Sequence, residues 1–254
     1  DELFRGPETE LPAGVRLATA KRGGVTVTRV EITREGLARP RGRYVTLEMP
    51  SVSVLDERDT DVIETGAAEL RALLPPEGPV LVLGIGNRRV TADALGPRTA
   101  QKILVTMGPQ HTLPVRGIRP VAALAPGVSG DTGLTLRQLA AAMVDAVRPA
   151  ALICVDSLCS AEAARLGRTI QFSDTGLHPA DARHARHLDA AALGVPVIAA
   201  GIPTLMDADE GADLVLTPRA LDSVIAHGSA LLAGILNRAL QPRLSVAQLC
   251  WLTG

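Results

Sequence analysis

The sequence predicts a three-layer α/β fold, a mostly parallel sheet with helices on both faces, joined to a small N-terminal antiparallel β appendage. Three observations predict it. Short apolar runs without alternation, such as Val80-Leu-Val-Leu83 and Val195-Pro-Val-Ile-Ala-Ala200, require cover on both sides of the sheet. Segments of helical pattern separate these runs, which is the rhythm of strand–helix–strand units. Within the first fifty residues, 24–33 and 43–49 instead alternate apolar and polar positions with period two, the pattern of half-buried antiparallel strands.

In order along the chain, 24–33 and 43–49 read as strands bounded by Gly and Pro. A helix over 56–74 has acidic residues in its first turns and Pro75-Pro76 after it. The strand 80–83 enters Gly84-Ile-Gly86-Asn87, and a helix follows over 97–107. Next come a strand at 121–124, a Gly-rich loop through Gly133, and a helix over 135–147. The strand 150–155 is ended by Asp156. A strand at 169–172, a helix over 182–193, a strand at 195–200, a short strand at 214–216 and a long helix over 219–240 complete the series. The division expected is residues 1–55 as the β appendage and 56–254 as the α/β domain.

Composition narrows the function. With 26 Lys+Arg against 27 Asp+Glu and 46% hydrophobic residues, the 254-residue chain is an ordinary globular one, with no electrostatic reason to bind nucleic acid or an anionic membrane. Aromatic residues are 2%, with Trp251, Tyr44, Phe4 and Phe172 as the whole set, too few for base-stacking platforms. The apolar runs at 79–86 and 195–206 are shorter than the ~18 residues that span a bilayer. Asp1-Glu-Leu-Phe-Arg5 lacks the basic-then-apolar pattern of a signal peptide. Cys154, Cys159 and Cys250 cannot all pair and match no zinc spacing, so a reducing, cytoplasmic compartment is expected.

In a doubly wound sheet, ligands bind at the carboxyl ends of the strands. Gly84, Gly86, Asn87, Asp93, Asp156, Asp174 and His178 all follow strands at that edge. The glycine pair is not a dinucleotide fingerprint, because Arg89 stands where the third glycine belongs and no acidic residue follows at the ribose-binding spacing. Its plainer role is a tight turn that lets backbone approach a neighbouring site. Two Asp-Thr-Gly triplets, at Asp131 and Asp174, match pepsin-like proteases by three residues only. A large all-β scaffold is incompatible with alternating strands and helices, so Asp131 reads as a loop residue.

Asp93 and Asp156 form the third candidate. Two carboxylates about 4 Å apart repel by roughly 4 kcal/mol at an effective dielectric near 20, enough to separate their titrations by about three pH units. Such a pair shares one proton, one member serving as base toward water and the other as acid. The alternative is that Asp93 caps the following helix while Asp156 binds neighbouring amides. His178 would orient this pair, ligate a divalent metal beside it, or hydrogen-bond a turn. Arg183, His184, Arg186 and His187 read as a solvated basic helix face.

Several motifs resemble the germination (spore) protease family, peptidase family A25. They are Val82-Leu-Gly-Ile-Gly-Asn87, Val90-Thr-Ala-Asp-Ala-Leu-Gly-Pro97, Arg119-Pro-Val-Ala-Ala-Leu-Ala-Pro-Gly-Val128, Ile170-Gln-Phe-Ser-Asp-Thr-Gly-Leu-His-Pro179 and Gly194-Val-Pro-Val-Ile-Ala-Ala-Gly-Ile-Pro-Thr204. The resemblance implies an endopeptidase that starts the degradation of small acid-soluble spore proteins in the germinating spore core. It implies a homotetramer made as a zymogen, with Asp93 and Asp156 as the essential aspartates and no cofactor. It also implies a catalytic domain similar to the hydrogenase-maturation endopeptidases, whose corresponding loop opens a metal site containing a histidine. Ser157 and Cys159 depart from the family's small apolar residues. Amides of the 84–87 loop are then candidates to support an oxyanion, and Arg88, Arg89, Arg183 and Arg186 to read substrate carboxylates. The rival readings are a metal-dependent peptidase using Asp93, Asp156 and His178, and a peptide-binding module without activity.

Overall fold

The computed structural model describes residues 11–37, 39–108, 116–178, 187–207 and 215–253. Among the described residues, nine strands form one sheet in the order β1-β2-β3-β7-β8-β6-β4-β5, with β9 on β8. The strands are β1 (Val15–Arg22), β2 (Val25–Ile32), β3 (Gly42–Glu48), β4 (Val80–Gly84), β5 (Val121–Leu124), β6 (Ala151–Cys159), β7 (Thr169–Ser173), β8 (Val197–Asp207) and β9 (Val215–Leu216). The helices are α1 (Thr60–Leu73), α2 (Leu95–Ala100), α3 (Ser129–Thr132), α4 (Leu136–Val147), α5 (Ala190–Leu193), α6 (Leu221–Leu240) and α7 (Val246–Thr253).

The three-layer α/β architecture is as the apolar runs predict, and the sheet is mixed. Strands β8, β6, β4 and β5 run parallel, while β1, β2, β3 and β7 pair antiparallel and β7 joins β8 antiparallel. The N-terminal strands thereby extend the main sheet. Alternate residues of the parallel strands feed opposite faces. Val80, Val82, Ile153, Val155, Ile198 and Ala200 join the larger core, to which α1 and α6 also contribute. Leu81, Leu83, Leu152, Cys154 and Val197 pack with α4 residues Ala140 and Val144 on the other side. By length and composition α6 is able to cross a bilayer, but 72% of its apolar window is buried in the protein; it is the central core helix.

Several elements differ from expectation for identifiable reasons. The helix expected over 97–107 stops at Ala100, because buried Asn237 of α6 takes the backbone beyond it. Its Oδ1 accepts from Leu104 N at 2.8 Å and its Nδ2 donates to Lys102 O at 2.9 Å. Of the helix expected over 182–193, residues 182–186 lie outside the described residues. Leu188 pairs with Leu177 as a β-bridge, and Asp189 then caps α5 by accepting from Ala192 N at 2.8 Å. Strand β6 does not end at Asp156 but runs on beside β8 to Cys159. Strand β1 and helix α7 were not foreseen.

The N-terminal strands are tied to the helical layer by Arg29 of β2, which donates from Nε to Glu69 Oε2 at 2.7 Å and from Nη2 to Oε1. The Glu69 side chain is 10% exposed and that of Arg29 46%; the hydrogen bond to Glu69 raises the Arg29 pKa above its ordinary value. Arg29→Met strands a buried carboxylate and is expected to cost about 2 kcal/mol, less than a fully buried pair because Arg29 is half in solvent. The pair Arg29→Met with Glu69→Leu should recover most of that loss in urea denaturation.

Candidate active site

A series of local contacts carries Asp93 to the end of β4. Strand β4 ends at Gly84, opposite Val155 of β6, and Ile85 N continues the ladder by donating to Val155 O at 2.8 Å. Gly86 then turns with φ +123°, a conformation that side chains disfavour. Asn87 N donates to Asp93 Oδ2 at 2.7 Å, and Asn87 Oδ1 accepts from Arg89 N at 2.9 Å. Asp93 ends a 3-10 turn over Thr91–Asp93, anchored from β8 by fully buried Thr204, whose Oγ1 donates to Ala92 O at 3.0 Å. Gly96 seals the arrangement: a Cβ there would lie 2.3 Å from both Ile85 O and Val155 O.

Asp156 stands one residue past Val155, opposite Gly201 of β8. It therefore lies within β6, one residue past the point where the β4 ladder ends, while β6 continues beside β8 to Cys159. Both aspartates are half-buried. Asp156 Oδ1 accepts from Ser157 N at 2.8 Å, so it does bind a neighbouring amide. The N-cap residue of α2 is Ala94 rather than Asp93; the Asp93 carboxylate turns back to the glycine loop.

Cys154, two residues before Asp156, is fully buried. Burial first, and then the negative charge of Asp156, push its thiol pKa well above the ordinary value. A raised acid pKa means the native state keeps a proton that the unfolded chain releases. Stability from this group is whole below the unfolded thiol's pKa of about 8.5 and falls as pH rises past it, by up to about 1.4 kcal/mol per pH unit. Urea melts between pH 8 and 10 are expected to show this slope, and Cys154→Ala to remove it.

The structure gathers some of the other predicted residues and separates others. Arg88, Arg89, Gly86 and Asn87 line a cleft of about 320 Å³ with Pro97, Gly127 and Asp131. Arg89 Nη1 lies 3.5 Å from Asp131 Oδ1, so Asp131 pairs across the cleft. With its amide oxygen toward Arg88, Gln101 accepts from that guanidinium at 2.8 and 2.9 Å. His178 is engaged in a turn: Nε2 donates to Thr175 O at 2.7 Å and Nδ1 lies 3.2 Å from His187 Nδ1. Asp174 pairs with Arg43, accepting from its backbone N and its Nε, both at 2.7 Å. Arg183, His184 and Arg186 lie outside the described residues. Among the described residues, no three His, Cys, Asp or Glu are grouped to hold a metal ion, so Asp93, Asp156 and His178 do not assemble a ligand set. Two amides of the 84–87 loop are already engaged, Ile85 N with β6 and Asn87 N with Asp93, so they position the site.

Sequence reading missed three contributors. Gly96 and Thr204 sit inside motifs noticed for other residues, and their signal was the glycine after Ala-Leu and the buried hydroxyl closing an apolar strand. Asp131 was singled out only by its Asp-Thr-Gly triplet and read as a loop residue, and nothing local signalled its pairing with Arg89, which is distant in sequence.

The chain matches the germination protease family, peptidase family A25, over residues 6–210. It is 32% identical over 278 residues to the germination protease of Clostridium perfringens (strain SM101 / Type A), spanning 87% of this chain and 86% of that one. It is 40% identical over 222 residues to that of Caldanaerobacter subterraneus subsp. tengcongensis, spanning 82% and 67%. For that of Bacillus velezensis the identity is 38% over 222 residues, spanning 81% and 58%. Among solved structures it is similar to a NiFe hydrogenase maturation protease, HycI, from Thermococcus kodakarensis KOD1, with TM-score 0.44 and 18% identity over 68% of this chain and 98% of that one.

Proposed function

This chain belongs to the germination protease family, and from that premise we propose that it is the endopeptidase that opens the degradation of small acid-soluble spore proteins, with Asp93 and Asp156 as its reacting groups. The observation that carries the reading is their common location. Half-buried Asp93, on the turn that follows β4, and half-buried Asp156, in β6 just past the end of the β4 ladder, belong to adjacent parallel strands whose backbones are joined by the Ile85 N to Val155 O bond. The cleft lined by Gly86, Asn87 and Arg89 opens beside the Asp93 turn.

In the proposed reaction one carboxylate removes a proton from water as it attacks the peptide carbonyl. The other, protonated, polarises that carbonyl and then passes its proton to the leaving amine. Asn87 N–H holds the Asp93 carboxylate, and Ser157 N–H that of Asp156, so neither has to be oriented anew at each turnover. Arg88 and Arg89 offer guanidinium groups to substrate carboxylates at the cleft. Action in the spore core, synthesis as a zymogen and a homotetrameric assembly are parts of the same proposal.

The test is digestion of a small acid-soluble spore protein, followed by mass spectrometry, with and without chelator. Defined fragments that persist in chelator are expected. An intact spore protein would overturn the enzymatic reading, and fragments lost on chelation would overturn the metal-free dyad.

A further inference from the structure

His178 and His187 face each other where two extended segments meet. Leu177 N donates to Leu188 O at 2.8 Å, and Leu188 N donates to Leu177 O at 3.1 Å. An antiparallel pair that exchanges both bonds is the wider type. The next pair along, His178 with His187, is therefore of the closer type, with both side chains on one face. Gly176 permits the approach: its φ is +84°, and a Cβ there would lie 2.1 Å from Leu188 O.

The pairing brings the rings together nitrogen to nitrogen. The Nδ1 atoms are 3.2 Å apart, the ring centres are 5.2 Å apart, and the ring planes cross at 77°. His178 Nε2 donates to Thr175 O at 2.7 Å, which leaves Nδ1 of the neutral ring as a lone pair. A backbone carbonyl on the far nitrogen is the usual support of a metal-bound imidazole. Two nitrogens bound to a tetrahedral zinc ion, each about 2.0–2.1 Å from it, are themselves about 3.3–3.4 Å apart. The two Nδ1 atoms thus stand close to chelating distance before any ion arrives. In the free pair a proton on His187 Nδ1 bridges the gap. When an ion takes its place, His187 carries that proton on Nε2 instead, so both lone pairs point to the metal and no proton is gained or lost. His187 is exposed, which gives an ion access from solvent. Among the described residues no third His, Cys, Asp or Glu joins the two. Of the nearby carboxylates, Asp174 is paired with Arg43 and Asp189 caps α5, so water completes the coordination.

We propose that His178 and His187 form a two-imidazole chelate for a divalent ion of the zinc class, which clasps the 176–178 turn to the segment leading into α5. The site is separate from Asp93 and Asp156 and does not depend on their being reacting groups. The full chain, freed of metal by chelator and dialysis, is titrated with Zn²⁺ by isothermal calorimetry. One ion per chain is expected. His187→Ala is expected to weaken binding at least about tenfold, since loss of a ligand costs no less than loss of its outer support. Asp93→Asn and Asp156→Asn are expected to leave the affinity unchanged. X-ray absorption at the zinc edge should show two imidazole nitrogens, with oxygen in the other positions. Excess Zn²⁺ should raise the melting midpoint of the wild-type chain and not that of His187→Ala; the same melts report that the variant is folded. Absence of stoichiometric binding, or an affinity that survives His187→Ala, overturns the chelate. Affinity lost with Asp93→Asn or Asp156→Asn also overturns it, by assigning the ion to the aspartates.

Discussion

Asp93→Asn and Asp156→Asn are each expected to lower kcat on a spore-protein substrate by about a thousandfold or more, with little change in stability. Loss of one general acid or base costs roughly 10² to 10⁴ in rate, and groups that act as a unit lose almost everything with the first removal. The double variant should therefore be no slower than the worse single one. The fold should tolerate both changes, because an Asn side-chain oxygen can still accept from Asn87 N at position 93 and from Ser157 N at position 156. Turnover assays paired with urea melts decide the matter. A variant that keeps wild-type turnover removes its aspartate from the reaction, and one that unfolds shows a structural role instead.

Gly86→Ala should be nearly as damaging for a different reason. At φ +123° an alanine is strained by about 1–3 kcal/mol. Its Cβ would also stand 2.0 Å from Asp93 O and 2.9 Å from Asp93 Oδ1. The methyl group cannot be accommodated unless the Asp93 turn moves, and a displacement of about 1 Å is enough to cost two orders of magnitude in rate. The expected result is a loss of about 3 kcal/mol in urea denaturation together with at least a hundredfold loss in kcat. Gly86→Ala with normal turnover would mean that the position of Asp93 is immaterial to the chemistry.

The legibility of this chain in its sequence followed the range of the interactions. The apolar strands around Val82, Ile153 and Ile198 were readable because a strand covered on both faces needs an unbroken run of aliphatic side chains. The direction of the parallel sheet put Asp93 after the end of β4, whereas the end expected for β6 at Asp156 is overtaken by its pairing with β8 as far as Cys159. The early end of α2 was not readable, because the amide that stops it belongs to Asn237, more than a hundred residues later. Strand β1 was missed because only Val15 is buried in it, so its sequence shows no strong alternation. His178 looked like a partner of the aspartates from its strand-end position, but Thr175 O and His187 occupy its ring nitrogens.

The anchoring of the Asp93 turn by Thr204 has a consequence in time. On a ribosome, a nascent chain complete through α4 already displays Asp93, but the opposing carboxylate has not been synthesised. The hydroxyl that fixes Ala92 emerges later still, near the end of β8. On the proposed dyad, hydrolytic competence would follow only once most of the polypeptide has left the exit tunnel, and truncated translation products would carry Asp93 without Asp156 or the hydroxyl that fixes Ala92.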